Sequence, residues 1–335
     1  MFGEDFVWGV ASSAYQVEGT DAADGRGACV WDMFAADGRV FEHQNADTSC
    51  DHMHHYKEDI ALMRHLGIRA YRFSLNWARI LPEGTGRVNE KAIAMYRDMI
   101  LTMKENGITP YLTLFHWEFP QALYERGGWQ NPDVVQWFGE YAKVVAENFS
   151  DICEYFITIN EPQCVVGLGH LSGVHAPGVK LPVAQTFLVA HHLLMAHGQA
   201  VINLRRYAVR PVRIGFAPTG GVAYPYTDRS EDIEAAKKVY FGFYNPIDNW
   251  TWNVSWFSDP VFLGHYPEEG LKKFAPYLPE ITQEDMELIY QPLDFMGQNI
   301  YNGYYVRAGI CGSCAGVPED GIGLAGDAGG VLLRH

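Results

Sequence analysis

The sequence predicts an α/β chain of the (β/α)8 TIM-barrel type, incomplete, with about six βα units. Three observations carry that expectation. Short, near-continuous apolar runs alternate with segments whose apolar residues recur at helical spacing, as parallel strands buried on both faces alternate with crossover helices. No glycine-rich phosphate loop follows the first run, which disfavours an open nucleotide-binding sheet. Polar residues gather where the runs end, at Gln16, Asn76, His116, Asn160-Glu161 and Asn299-Tyr301. A barrel carries its chemistry at the C-terminal ends of its strands.

In chain order, the strand candidates are Phe6–Val10, Ala70–Ser74, Pro110–Phe115, Tyr155–Ile159, Arg213–Ala217 and Asp294–Ile300. A helix over Tyr56–Leu66 is stopped by Gly67, and a second is capped by Asn89 and stopped by Gly107. Asn131-Pro132 supplies a cap and a first-turn proline for a third helix. Its Val134, Val135, Phe138, Tyr141, Ala142, Val145 and Phe149 share one face. Val183–Tyr207 and Glu231–Phe243 read as further helices, the former packing His191, His192 and His197 toward the cleft. Residues 1–307 form the barrel, and 308–335 form an atypical tail rich in Gly and Ala.

At 335 residues and 48% hydrophobic, the chain is long enough for one large core. A net charge of −15 with scattered Lys and Arg argues against nucleic acid or an anionic membrane as partner. No apolar run approaches the roughly 20 residues of a membrane span, and no export signal opens the sequence, so the expected compartment is the cytoplasm. Six thinly spread cysteines are expected to be free thiols. His52, His54 and His55 lack a spacing that presents one clean face, and the lone Cys311-Gly312-Ser313-Cys314 cannot complete a zinc site. No metal and no cofactor are expected.

The chemistry centres on "YFITINEPQC" (Tyr155–Cys164). It places Glu161, with Asn160 beside it, where a buried strand gives out before Pro162. Such a carboxylate suits a glycosidase acid/base, which must protonate a poor leaving group and needs a raised pKa to do so. The plainer alternative is a Glu capping the following helix.

Four stretches, "FVWGVASSAYQVEG" (Phe6–Gly19), "FHWEFP" (Phe115–Pro120), "TINEP" (Thr158–Pro162) and "GQNIY" (Gly297–Tyr301), resemble glycoside hydrolase family 1 in order and spacing. This is the β-glucosidase and 6-phospho-β-glucosidase family, and the resemblance runs from about residue 5 to about residue 307. It implies a retaining β-glycosidase acting on terminal β-glucosides, with Glu161 as acid/base. It implies Asn160 on the sugar 2-OH, Gln16 and His116 on the 3- and 4-hydroxyls, and Trp117 along the same wall. Tyr301 and Arg72 would support the nucleophile, with Asn299 in the same floor. Glu118 stands where the family usually has Asp, which leaves its role open.

A retaining enzyme needs a second carboxylate roughly 5–5.5 Å from the first. The family carries it at the end of strand seven within Thr-Glu-Asn-Gly, a segment that occurs nowhere in this sequence. Strands seven and eight are therefore expected to be missing, and activity to be very weak or lost. Glu319, Asp320 and Asp327 of the tail are the substitutes at hand. A one-base shift of permitted codons for Asp320–His335 yields "MALAWPVTPEVFYYG", which resembles what the family carries before strand seven and suggests a frameshifted tail. Six strands leave two unpaired edges, so a homo-oligomer joined through them is expected. A non-catalytic sugar-binding remnant and a self-assembling incomplete barrel are the competing readings.

Overall fold

The computed structural model describes residues 2–20, 24–244, 246–308 and 322–325. Nine strands occur in these residues: β1 (Gly9–Ala11), β2 (Ala70–Ser74), β3 (Thr109–Phe115), β4 (Tyr155–Asn160), β5 (Arg213–Ala217), β6 (Val222–Pro225), β7 (Phe295–Met296), β8 (Gly303–Ala308) and β9 (Ile322–Ala325). The principal sheet has six strands in the order β1-β2-β3-β4-β5-β7, every neighbouring pair parallel. It curls as a partial barrel. Chain order matches spatial order across this sheet, as in a barrel wound in one direction.

The crossover helices are built as their sequences dictate. Asn89 accepts the N–H of Ala92 at the start of Glu90–Glu105, and Gly107, at φ +72°, ends that crossover in a left-handed conformation that favours glycine. Val134–Phe149 buries ten residues, among them the seven of the predicted face. The 25-residue helix Val183–Tyr207 packs along it. Gly198 of that helix admits the helix Gln283–Ile289, because a Cβ there would lie 1.8 Å from the Leu288 carbonyl oxygen. Between β2 and the helix layer, Trp77 stacks on Tyr141 with ring centroids 5.0 Å apart.

Several expectations need correcting. The first strand is Gly9–Ala11, not Phe6–Val10, and all three residues are exposed rather than buried. The last sheet strand shrinks from Asp294–Ile300 to Phe295–Met296. Both lie at the sheet's edges, where one missing neighbour removes half the pairing that extends a strand. The predicted Tyr56–Leu66 helix starts earlier, at His52, and ends at His65. Asn131 does not cap Val134–Phe149; its side-chain oxygen accepts the Asp133 N–H at 2.9 Å and holds the turn before the helix. The predicted Glu231–Phe243 helix runs Ser230–Phe241.

A second, three-stranded sheet was not foreseen. β6 pairs β8 in parallel and β8 pairs β9 antiparallel. The helix Ser230–Phe241 sits on it through Ala235, Ala236 and Val306, and Asp232 Oδ1 accepts the N–H of Ala308 at 2.8 Å. The atypical tail thus contributes β9 to this sheet, while Cys311, Cys314, Glu319, Asp320 and Asp327 lie outside the described residues. No helix among the described residues is long and apolar enough to cross a membrane.

Candidate active site

Glu161 ends β4 in an uncommon backbone state. The β4–β5 register shifts between Ile157 and Asn160, and Glu161 then adopts φ +47°, ψ +67° while its N–H reaches Ala217 O at 2.7 Å. A left-handed conformation costs a non-glycine residue on the order of 1–2 kcal/mol, and such strain clusters at sites that must aim a side chain. Trp117 beyond β3, at φ +84°, is a second such residue. Its indole N–H donates to the Asn160 carbonyl at 3.1 Å, so the two strained ends brace each other.

The predicted residues of four strand ends meet in one network. Arg72 of β2 donates through Nε to Thr113 at 2.9 Å, through Nη1 to Asn299 Oδ1 at 3.1 Å, and through Nη2 to Asn160 Oδ1 at 2.5 Å. Asn299 Nδ2 donates to Asn160 Oδ1 at 2.8 Å and to Glu161 Oε1 at 2.6 Å. Asn299 is itself fixed by backbone bonds to the loop after β5, its N–H to Pro218 O and its carbonyl accepting the Thr219 hydroxyl at 3.0 Å. Because Asn160 Oδ1 accepts twice, its amide nitrogen must face the other way. It meets His116 Nε2 at 3.1 Å.

That geometry settles the histidine. Burial, then the Arg72 charge, drives His116 down to about 3, so it is neutral near pH 7. Its Nε2 accepts from Asn160, which leaves the proton on Nδ1, an enclosed donor with no partner among the described residues. Burial also lowers Arg72, an effect opposed by the Glu161 carboxylate. A guanidinium stays charged even so, and it gives the floor a fixed positive centre.

Glu161 is 5% exposed, and its second oxygen accepts from the Cys164 thiol at 3.0 Å. Burial first, then the hydrogen bond to Glu161 and its charge, push that thiol up, so it stays protonated and donates. Cys164 escaped the sequence analysis, although a residue three positions on in a helical turn lies on the same face. Glu118 is 1% exposed and accepts the Tyr15 N–H at 2.7 Å, tying the β3 loop to the segment after β1. Burial pushes its carboxyl up to about 8. A low apolar hollow lies beside Glu161, lined by Trp31, Trp117, Trp129, His170 and His175.

Two expected residues stand apart. Gln16 is exposed, on the short turn Ala14–Val17, and its side chain accepts from Ser13 at 2.7 Å rather than joining His116. Tyr301 is 79% exposed and makes no hydrogen bond among the described residues, though it feels the charges of Glu161 and Arg72. His191, His192 and His197 tie their helix to Tyr266, Trp129 and Thr158. His52, His54 and His55 each contact a carboxylate of their own segment.

The model of glycosyl hydrolase family 1 matches residues 1–314. The chain belongs to this family. β-Glucosidase A of Thermotoga maritima is 42% identical over 307 residues, covering 91% of this chain and 66% of the relative. β-Glucosidase A of Acetivibrio thermocellus is 40% identical over 309 residues, with the same two coverages. The Thermotoga maritima β-glucosidase solved with glucoimidazole superposes with a TM-score of 0.82 at 40% identity, covering 97% of this chain and 70% of that one. This family member therefore spans about two thirds of the length of the curated relatives it matches.

Proposed function

We propose that this chain carries the acid/base half of a retaining β-glucosidase site for terminal β-glucosides, with Glu161 as the acid/base. The observation that carries this reading is the Arg72–Asn160–Asn299–Glu161 network, which fixes a carboxylate at a strained strand end. In a double displacement, a second carboxylate attacks the anomeric carbon while Glu161 gives its proton to the departing oxygen. Glu161 then takes a proton from the water that opens the glycosyl ester. Asn160 would meet the 2-OH, and the neutral His116 would offer its Nδ1–H to a ring hydroxyl. Trp117 would line the wall and Gln16 would reach the rim. Tyr301 and Arg72 would face the second carboxylate.

The 335 residues hold no Thr-Glu-Asn-Gly from which that carboxylate would come. Strands seven and eight of the barrel are the missing part in this reading, so the chain alone turns over very weakly or not at all. Left alone in solution, it self-associates through its two exposed sheet edges, and monodisperse monomers by light scattering would refute that. The test of chemistry is cellobiose hydrolysis by the purified chain beside Glu161→Gln. An unactivated leaving group needs the acid. Glucose release at the rate of an ordinary enzyme (kcat of about 1–10³ per second) would overturn the half-site reading. Release unaffected by Glu161→Gln would remove Glu161 from its role.

A further inference from the structure

The two carboxyl oxygens of Glu161 meet chemically different partners. Oε1 accepts from Asn299 Nδ2 at 2.6 Å, and Oε2 accepts from the Cys164 thiol at 3.0 Å. The Asn299 amide is oriented from behind. Its Oδ1 accepts from Arg72 Nη1 at 3.1 Å, and a guanidinium only donates, so Nδ2 is the end that faces Glu161. An amide N–H cannot accept. Oε1 therefore stays an acceptor in both protonation states of the carboxyl. Asn299 cannot swing aside either, because its backbone is paired with Thr219 and its carbonyl accepts the Thr219 hydroxyl. Thr219 is gripped in turn by Gln163, two residues past Glu161 and fully buried. Gln163 Nε2 donates to Thr219 O at 2.9 Å, and Gln163 Oε1 accepts the Thr219 N–H at 3.2 Å. A closed ring of contacts thus runs from Glu161 through Gln163, Thr219 and Asn299 back to Oε1.

Cys164 is the partner that can change its role. Its S–H turns about a single bond, and sulfur both donates and accepts weakly. Arg72, His175 and Tyr301 also feel the Glu161 charge, but none of them is hydrogen-bonded to its carboxyl among the described residues. We infer that Glu161 carries its proton on Oε2, and that Cys164 is a positioning residue that follows this proton, donating to the bare carboxylate and freeing the oxygen when the proton arrives. What the proton does there rests on the reading of Glu161 as the acid/base. When Oε2–H gives its proton to the departing oxygen, that O–H bond breaks and the thiol turns its S–H onto the bared Oε2. When a water later loses a proton to Oε2, the S–H turns away again. The S–H bond stays intact throughout, because burial keeps the thiol protonated. A charged donor in this place would grip the carboxylate and hinder the return of the proton. A thiol supports it and lets go.

The test follows the proton in the 335-residue chain itself. Two signals are recorded from low to high pH. One is the infrared S–H stretch of Cys164, assigned by its loss in Cys164→Ala. The other is the carbon resonance of the Glu161 carboxyl, assigned by its loss in Glu161→Gln. The expected result is one shared midpoint, the S–H band moving to lower frequency as Glu161 loses its proton. In Glu161→Gln the band should stay put across that range. A thiol band that ignores the Glu161 titration overturns the inference, and so do Asn299 side-chain amide protons that move while the thiol does not. Cys164→Val, similar in volume but neither donor nor acceptor, should raise the Glu161 midpoint by about half a pH unit or more. Cys164→Ser, which donates and accepts again, should bring it back to the original or below. Equal midpoints in these two variants would leave residue 164 a packing role only and overturn the inference. No readout here needs turnover. Cellobiose hydrolysis unaffected by Glu161→Gln would remove the catalytic role and leave the proton on Oε2, whereas an indifferent thiol would do the reverse.

Discussion

The interior of the sheet and its two edges are made from similar residues and meet opposite fates. β3 and β4 bury Leu112, Leu114, Phe156 and Ile159 almost completely, with a paired strand on each side and a helix beneath. β1 and β7 carry residues no less apolar, yet Val10 and Met296 stay open to solvent. The difference teaches that an apolar run is a request for burial which only neighbours can grant. The candidate site straddles the boundary. Glu161, Asn160 and Arg72 are held from the interior, while Tyr301 hangs from the edge side, mostly exposed.

The largest effect that would sharpen this contrast is expected deep inside. Arg79 is 1% exposed, donates to Glu18 at 3.2 Å and also reaches Asp24 and the Gly19 carbonyl. Arg79→Ala leaves Glu18 buried without its countercharge and should cost about 3–5 kcal/mol in denaturant unfolding. A loss below about 1 kcal/mol would mean that the interior is far more forgiving than its burial implies. Next, Leu112→Ala should cost about 2–5 kcal/mol, whereas Met296→Ala should cost under about 0.5 kcal/mol. Equal losses would break the comparison outright.

A pH-dependent effect comes through Glu118. Its folded carboxyl titrates at about 8 against an ordinary 4.5, so between those values the unfolded chain has released a proton that the folded chain keeps. Stability should therefore fall as pH rises from about 4.5 to 8, by at most about 1.4 kcal/mol per pH unit. Glu118→Gln should flatten that slope, measured as melting temperature against pH. An unchanged slope would assign the dependence to another group. A modest effect is expected at Cys164→Ala, about 1 kcal/mol in melting experiments for one lost hydrogen bond to Glu161. A larger loss would mark the thiol as a main support of the strained strand end.

Much of this site was legible beforehand because its residues sit in contiguous motifs at strand ends. Asn160-Glu161, His116-Trp117 and Asn299 come together as the βα pattern requires, and Arg72 lies on the adjacent strand beneath them. Cys164 was overlooked because a lone cysteine carries no pattern of its own. Gln16 and Tyr301 were named as site residues, but each lies beside a sheet edge where no further strand holds it against the others. The small β6-β8-β9 sheet had no signal strong enough to see, since β6 and β9 are only four residues long and β6 and β8 are mostly half exposed.

By itself, the sequence determined the six-strand parallel order, the main helices, the family and the carboxylate at the end of β4. Local periodicity and short motifs encode these, and they survive whatever surrounds them. Only the tertiary structure decided how long each edge strand is, that Glu161 stands in a left-handed conformation between Asn299 and Cys164, and that His116 carries its proton on Nδ1. Those outcomes depend on partners distant in sequence, and on the partners that an edge strand lacks.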